Sequence, residues 1–314
     1  MISILTLFLR RFLNGGLLEY LYILAFVWMG YVIIFSFLIL LAKILTLFYP
    51  FEFKKVFIIT CALSVFILFK SFYNIFKTPK VKEINIYSPY VSRNYKLVFI
   101  SDIHLDFSFK NKLFSTITKK IEEISPDALI IGGDLFDPGF KLDEYVYRIK
   151  KVKFPVFFVF GNHEYYYGIY KSMEITHQLG FKVLDNSAMS LGDINIIGLC
   201  DIKTKYMEVE TVKNIISKNY KKNAFNILVS HQPLYFKEVS EIYDILMLSG
   251  HTHCGQIFPF HLFTRIFYNY FCGEYKNKNS ILFVSSGAGS WGPPLRFLST
   301  AEILVINIVS DERN

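Results

Sequence analysis

Cysteine is scarce in this chain of 314 residues. The four cysteines, Cys61, Cys200, Cys254 and Cys272, form no paired spacing, so the sequence predicts neither a disulfide framework nor a zinc site built from thiolates. Basic clusters interleaved with aromatic residues are also missing, so the net charge of +8 does not indicate a nucleic-acid partner. That charge suits anionic headgroups or substrates that carry phosphate. An obligate protein partner is not evident either.

Charged residues are absent from long stretches near the N-terminus. Tyr20 to Ala42 is a charge-free run of 23 residues, long enough to cross the hydrocarbon core of a bilayer as a helix. Val56 to Phe69 is charge-free over 14 residues and reaches spanning length at Phe76 if Lys70 snorkels; the alternative is a helix in the membrane interface. Met1 to Leu9 predicts a short interfacial helix. We therefore predict an uncleaved anchor with two transmembrane helices, at residues 20–42 and 56–76.

A change in composition at Thr78-Pro79 divides the chain. We assign residues 1–79 to the membrane anchor, 80–95 to a connector with an edge strand at 83–87, and 96–314 to a second domain. With two spans, the N-terminus and this domain share one side of the membrane. Five basic residues flank the spans on the side of the N-terminus and the second domain, and three lie in the loop between the spans. This excess favours the cytoplasm for the second domain. The five are Arg10, Arg11, Lys77, Lys80 and Lys82, and the three between the spans are Lys43, Lys54 and Lys55.

Five short apolar runs of the second domain each end on residues that can bind a metal. They are Leu97–Ile100 before Asp102 and His104, Ala128–Ile131 before Asp134, Val156–Phe160 before Asn162 and His163, Phe225–Val229 before His231, and Ile245–Leu248 before His251 and His253. Such runs are typical of strands buried on both faces, and their alternation with helical segments predicts βαβ units in an α/β fold. Sites in these sheets gather at the carboxyl ends of the strands, so we expect the side chains to converge in one crevice.

These side chains offer carboxylate, amide and imidazole ligands, a set that suits Mn, Fe, Zn or Mg. There are too many of them for one ion. Two divalent ions about 3.5 to 4 Å apart, sharing one carboxylate, would use them and would hold a bridging hydroxide for in-line attack at phosphorus. Singly, each Asp could be a helix N-cap and each His a hydrogen-bonded core residue. Their shared position at strand ends favours metal binding.

The polar blocks resemble, in order and spacing, those of the calcineurin-like metallophosphoesterases. They are Asp102-Ile103-His104, Gly133-Asp134, Gly161-Asn162-His163-Glu164, Ser230-His231 and Gly250-His251-Thr252-His253. The chain is most similar to the bacterial membrane-anchored branch, that of UDP-2,3-diacylglucosamine pyrophosphatases, whose later motif matches Gly255-Gln256 and the run from Gly287 to Arg296. This resemblance implies a two-sheet αββα sandwich after the anchor. It also implies location in the bacterial inner membrane. The flanking basic residues favour a cytoplasmic catalytic domain, and the domain faces the exterior if the second run does not cross.

The resemblance further implies a role for each residue. One ion would be held by Asp102, His104, Asp134 and His253, and the other by Asp134, Asn162, His231 and His251. His163 matches the catalytic histidine of the family and would stabilise phosphoryl charge or protonate the leaving group. Asp137 corresponds to an acid that orients this histidine in some relatives, or is an ordinary loop acid. Arg296 could clamp a substrate phosphate or form a surface ion pair. Glu164 either supports a ligand through a hydrogen bond or is an exposed residue at a helix start, and the second interpretation is preferred.

The substrate class follows from the same resemblance, which implies hydrolysis of phosphomonoesters, phosphodiesters or pyrophosphates. Directly after the last metal motif, Ile257 to Phe263 and Ile266 to Phe271 are unusually aromatic, either as core under a long loop or as an apolar rim against the bilayer. Together with the anchor, a rim favours a lipid that carries phosphate or pyrophosphate, such as the glycolipid precursor UDP-2,3-diacylglucosamine in lipid A synthesis. The alternatives are a phosphodiesterase or phosphatase for soluble substrates and a non-catalytic metal-binding scaffold.

Overall fold

The computed structural model describes residues 16–49, 52–106 and 108–311, which form two compact units. The helical unit contains the N-terminal helices up to Lys77 and two later segments, residues 255–267 and 290–300. The sheet unit contains residues 78–254, 268–289 and 301–311. Both later segments belong by sequence to the predicted second domain. Their contacts assign them to the helical unit instead.

The helical unit begins with helices α1 (Gly16–Thr46) and α2 (Phe53–Ile75). Both are long and apolar enough to cross a membrane, with mean hydropathies of 2.6 for residues 19–46 and 2.1 for 53–75. These helices include nearly all of the two predicted spans. The predicted interfacial helix at Met1–Leu9 lies outside the described residues.

The sheet unit contains two mixed sheets of six strands. The first has the order β1-β12-β2-β3-β4-β5 and the second the order β10-β11-β9-β8-β7-β6. The strands are β1 (Lys80–Ser88), β2 (Tyr95–Ile100), β3 (Ala128–Ile131), β4 (Val156–Phe158), β5 (Lys182–Val183), β6 (Ser187–Leu191), β7 (Ile194–Gly198), β8 (Phe225–Val229), β9 (Leu246–Ser249), β10 (Gly273–Asn277), β11 (Ser280–Val284) and β12 (Glu302–Ser310). Parallel pairing joins β2, β3, β4 and β5 in the first sheet and β7, β8, β9 and β11 in the second. The edge strand predicted at 83–87 is β1, which pairs with β12 over nine residues.

The two sheets pack face to face around a shared apolar core. Alternate side chains of a central strand point into this core, and the others point to the opposite face. In β2, Leu97 and Phe99 join a core shared with Ile196 and Leu248 of the second sheet. The neighbouring side chains of β2 point to the opposite face and pack under helices. A continuous apolar run therefore means burial on both faces, as expected from the sequence. The predicted two-sheet sandwich is confirmed.

Helices cover the outer faces of both sheets. The helices of the sheet unit are α3 (Ser108–Ile124), α4 (Glu144–Tyr147), α5 (Asn162–Tyr167), α6 (Ile169–Leu179), α7 (Val209–Asn219) and α8 (Phe236–Ser240), and α9 (Phe260–Phe267) belongs to the helical unit. Phe114 and Ile117 of α3 and Leu179 of α6 pack on the first sheet. Val212 and Ile216 of α7 pack on the second.

Candidate metal centre

The seven predicted metal ligands and His163 follow the carboxyl ends of five strands. These strands are β2, β3, β4, β8 and β9. Five of the residues adopt positive φ angles of 50° to 70°, a backbone region that costs free energy for residues other than glycine. They are Asp102, His104, Asp134, His251 and His253. The fold thus holds the backbone of these loops in unusual conformations that aim the side chains at one place.

The imidazoles and carboxylates meet in three overlapping groups among the described residues, and within each group the potential ligand atoms lie within 4.8 Å of one another. The groups are Asp102, His104 and His253; His104, Asp134 and His163; and Asp134, His231 and His251. Nε2 of His104 lies 3.0 Å from Nε2 of His253, and Nε2 of His231 lies 3.1 Å from Oδ2 of Asp134. Because His104 and Asp134 each belong to two groups, the donor atoms form one continuous cluster.

Three of the imidazoles have a fixed partner on the ring nitrogen that faces away from the cluster. His104 Nδ1 lies 3.3 Å from Asp137, His231 Nδ1 lies 2.9 Å from the carbonyl oxygen of Gly132, and His251 Nε2 lies 2.6 Å from the hydroxyl of Tyr268. A partner of this kind sets the tautomer, so that the other nitrogen offers its lone pair to a metal.

The charges of Asp134 and His231 are strongly coupled. Burial alone would lower the pKa of His231, but the Asp134 carboxylate raises it well above its ordinary value. In return, burial would raise the pKa of Asp134, and the charge of His231 lowers it well below the usual range. A metal ligand must be a neutral imidazole, so a cation bound here would displace the proton that this pair shares.

Asn162 supplies an independent observation that a cation fits. Its side chain is buried, and its Oδ1 atom has no hydrogen-bond partner among the described residues. An unpaired buried carbonyl oxygen costs about 1 to 3 kcal/mol, which coordination of a metal would offset. Asn162 begins α5 directly beside the Asp134 loop, since the next backbone amide, that of His163, donates to Asp134 Oδ1 at 2.9 Å. The donor set of nitrogen and oxygen atoms therefore matches two divalent ions.

A conserved-domain comparison agrees with this geometry. A family model described as calcineurin-like phosphoesterase matches residues 95–255, which contain all seven predicted ligands. The chain belongs to this family. It is 34% identical over 248 residues to an uncharacterized metallophosphoesterase of Helicobacter pylori, an alignment that covers 76% of this chain and 66% of that protein.

Two further relatives extend the family beyond this match. An uncharacterized metallophosphoesterase of Aquifex aeolicus is 30% identical over 68% of this chain and 84% of its own length. A Danio rerio protein described as a transmembrane protein with metallophosphoesterase domain is 30% identical over 78% of this chain and 60% of its own length. As a calcineurin-like phosphoesterase, the protein is a metal-dependent hydrolase with a dinuclear metal site.

His163 and Asp137 form a pair at the edge of the cluster. Nδ1 of His163 forms a hydrogen bond with Oδ1 of Asp137. Burial would lower the pKa of His163, but the bond to Asp137 and nearby carboxylates raise it. For Asp137, burial would raise the pKa, and the neighbouring histidines lower it below the ordinary value. The Asp137 carboxylate thus favours the protonated form of His163 beside the predicted metal ligands.

Glu164 is fully buried, so the interpretation as an exposed residue is wrong. Its two carboxylate oxygens accept hydrogen bonds from four backbone amides at 2.7 to 3.0 Å. These amides belong to Asp134, Leu135, Phe136 and Gly161. Burial and the charge of Asp134 raise the pKa of Glu164 to about 7. One side chain therefore joins the loop of the shared aspartate to the loop that begins α5.

Tyr268 was not predicted as part of the site. Its hydroxyl contacts His251, and burial raises its pKa to about 12, which keeps it protonated at neutral pH. In the sequence it is one more ring in the aromatic stretch after His253. Its hydroxyl is one of several polar groups in that stretch, together with those of His261, Asn269 and Tyr270, so the sequence does not single it out.

Cys254 and Cys272 form a disulfide, which the absence of a paired spacing did not predict. The two residues are 18 positions apart, and their Cα atoms lie 5.1 Å from each other. Thr252 brings them together, since its hydroxyl donates to the carbonyl oxygen of Phe271 at 2.7 Å. The expectation that no disulfide forms is therefore wrong for this pair, whose first member follows His253 directly.

Arg296 lies in the helical unit, where its side chain is only 1% exposed. Its Nη1 atom donates to the hydroxyl of Ser299 at 3.0 Å, and its backbone amide donates to the carbonyl oxygen of Ser71. These contacts correspond to neither a surface ion pair nor an open phosphate clamp. A role for Arg296 in substrate binding stays a prediction that its burial does not favour.

Proposed function

We propose that this phosphoesterase hydrolyses a phosphodiester or pyrophosphate bond in a lipid-borne substrate, at a membrane in which α1 and α2 are anchored. The observation that carries the proposal is the single cluster of imidazole and carboxylate donors around Asp134, on a chain that also contains two helices of spanning length. One ion would be held by Asp102, His104, Asp134 and His253. The other would be held by Asp134, Asn162, His231 and His251. When bound, the two ions supply an activated water nucleophile and neutralise charge on the phosphoryl group.

The residues around these ligands provide the remaining chemistry. His163, whose protonated form Asp137 stabilises, would donate a hydrogen bond to a phosphoryl oxygen or a proton to the leaving group. Asp137 also holds His104, so one carboxylate orients a ligand and the acid together. Glu164 keeps the two loops in register. A non-catalytic metal-binding scaffold would not need a proton donor beside the metals. The hydrogen bond between His163 and Asp137 therefore supports catalysis.

The chain connectivity supports a substrate with a lipid part. Only Cys254 separates His253 from residue 255, where the first later segment of the helical unit begins. The second later segment begins at Ser290, directly after Gly289, whose backbone amide donates to the carbonyl oxygen of Asp102 at 3.0 Å. Two loops of the metal site therefore continue directly into the unit that contains the apolar helices. UDP-2,3-diacylglucosamine is one member of this substrate class, and the names of the relatives do not single it out.

Variants of the centre test the reaction. We expect Asp134→Asn and His163→Ala to lower phosphoester turnover at least roughly a hundredfold, through loss of the shared ligand and of the transition-state partner. His177→Ala is the matched control, because His177 lies exposed on α6. Turnover that survives in both site variants, or that persists unchanged after removal of the metals, would refute the mechanism.

A substrate panel tests the lipid part of the proposal. The purified full-length protein would be incubated in nanodiscs with UDP-2,3-diacylglucosamine, lipid phosphates, a lipid pyrophosphate and a generic soluble diester, and the products identified by mass spectrometry. We expect metal-dependent cleavage of a lipid-borne phosphodiester or pyrophosphate that His163→Ala abolishes. Efficient turnover of soluble esters alone, indifferent to detergent or lipid, would instead identify an enzyme for soluble substrates.

A further inference from the structure

The later segments of the helical unit, residues 255–267 and 290–300, expose large apolar side chains to their surroundings. Every residue of α9 is at least partly exposed. The exposed fractions are 52% for Leu262, 46% for Phe263, 76% for Ile266, 79% for Phe267, 54% for Trp291 and 71% for Leu298. So many exposed large apolar residues in two short segments are costly in water and mark a surface with an apolar partner.

These segments pack along the central part of α1. The contacts are those of Gly292 with Phe26, of Leu295 with Gly30, and of Phe258 with Phe37. The stretch of α1 that they cover rises by about 16 Å, because an α-helix rises 1.5 Å per residue. It lies inside the charge-free run of residues 20–42. Gly30 permits the approach of Leu295, since a Cβ atom at position 30 would overlap the Leu295 side chain.

The irregular backbone of these segments finds its hydrogen-bond partners inside the helical unit. The buried side chain of Gln256 donates to the carbonyl oxygens of Trp291 and Pro293 at 2.9 and 3.2 Å, and accepts from the amide of Trp291 at 2.8 Å. Ser71 and Asn74 of α2 bind the backbone amide and carbonyl of Arg296, each at 3.0 Å. Non-helical backbone is tolerated at membrane depth only where protein groups satisfy it in this way.

We propose that residues 255–267 and 290–300 insert into the bilayer beside α1 and α2, and that their exposed apolar side chains contact lipid acyl chains. The partner follows from continuity, because these side chains extend the apolar surface of two helices of spanning length. Arg265, which is exposed on α9, has a long stem that can reach the headgroups. The inference rests on the membrane anchoring in the proposed function and is independent of the reaction.

Tryptophan fluorescence tests this insertion without substrate or metal. The chain has two tryptophans, Trp28 on α1 and Trp291, so Trp28→Phe leaves Trp291 as the only reporter. The full-length variant would be reconstituted into phosphatidylcholine vesicles with or without brominated acyl chains. We expect brominated lipid to quench Trp291 by roughly half or more, as it should quench Trp28 in Trp291→Phe.

Two further variants complete the experiment. Leu298→Trp, in a chain without both native tryptophans, is a second reporter that should also be quenched by brominated lipid. Tyr170→Trp in the same background is the aqueous control, because Tyr170 is 85% exposed in the sheet unit. If positions 291 and 298 are quenched by aqueous acrylamide and not by brominated lipid, the proposal is overturned. It is equally overturned if Trp28 escapes lipid quenching, and neither result bears on phosphoester hydrolysis.

Discussion

Asp137→Asn should move the alkaline limb of the pH–rate profile to lower pH. In the native protein the Asp137 carboxylate holds the pKa of His163 above its ordinary value, against the effect of burial. The protonated acid is present below this raised pKa and is lost as the pH rises through it. An opposite charge within hydrogen-bond distance shifts a pKa by about 1 to 3 units, or about 1.4 to 4 kcal/mol. Removing that charge should therefore shift the limb downward by the same amount.

The assay is the pH dependence of kcat/KM for the wild type and Asp137→Asn, with the metal content of each measured in parallel. Metal content matters because Asp137 also contacts Nδ1 of His104, a predicted ligand. Asp185→Asn is the control, since Asp185 is an exposed loop acid. An alkaline limb that does not move in a variant with full metal content would refute the coupling between Asp137 and His163.

Three further changes probe the groups that support the centre. Tyr268→Phe should weaken metal binding about 10- to 100-fold by removing the partner of His251, which titration calorimetry can measure; unchanged affinity would contradict this role. Glu164→Ala should lower the free energy of unfolding by at least about 2 kcal/mol, because four buried amides lose their acceptor and each is worth about 1 to 3 kcal/mol. Glu174→Ala, at an exposed position, is the control in denaturant titrations. Equal unfolding midpoints for Glu164→Ala and Glu174→Ala would exclude a stabilising role for Glu164. Cys272→Ser should cost about 3 kcal/mol, the loop-closure entropy for 18 residues, and thermal stability that is indifferent to the substitution would count against it.

The sheet and most of the centre could be predicted because their signals are local. The strands that lead to the centre, β2, β3, β4, β8 and β9, contain short apolar runs. In β2 the side chains alternate between two cores, so the run itself indicates burial on both faces. The loop residues come at the ends of these runs. Asp134 was therefore identifiable as soon as Ala128–Ile131 was read as a strand.

Other features depend on contacts that no short stretch of sequence encodes. Glu164 stands at a helix start, a common place for an exposed acid, and its burial follows from the approach of the Asp134 loop. Tyr268 contacts His251 because the segment that contains Phe271 folds back against Thr252. The same approach brings Cys272 to Cys254. These partners are separated by 17 to 30 positions, beyond the reach of sequence periodicity.

The assignment of residues 255–267 and 290–300 to the helical unit was also beyond prediction. Their sequence places them after the metal motifs, in a domain whose other segments form sheets. Two residues hold these segments in the helical unit. Gly30 leaves room for the Leu295 side chain, and Gln256 forms hydrogen bonds with the backbone of Trp291. Neither residue is distinctive in a sequence without its neighbours in space.

The redox state of Cys254 and Cys272 indicates on which side of the membrane the sheet unit lies. Cross-linked cysteines persist outside the cell or in the periplasm, whereas the cytosol keeps thiols reduced. If the sheet unit faces outward, alkylating reagents should find neither sulfur and activity should survive them. If it faces the cytosol, as the flanking lysines and arginines favour, the Cys254 sulfur would be a free thiol directly after His253, a predicted metal ligand. Alkylation of Cys254 should then inactivate the protein.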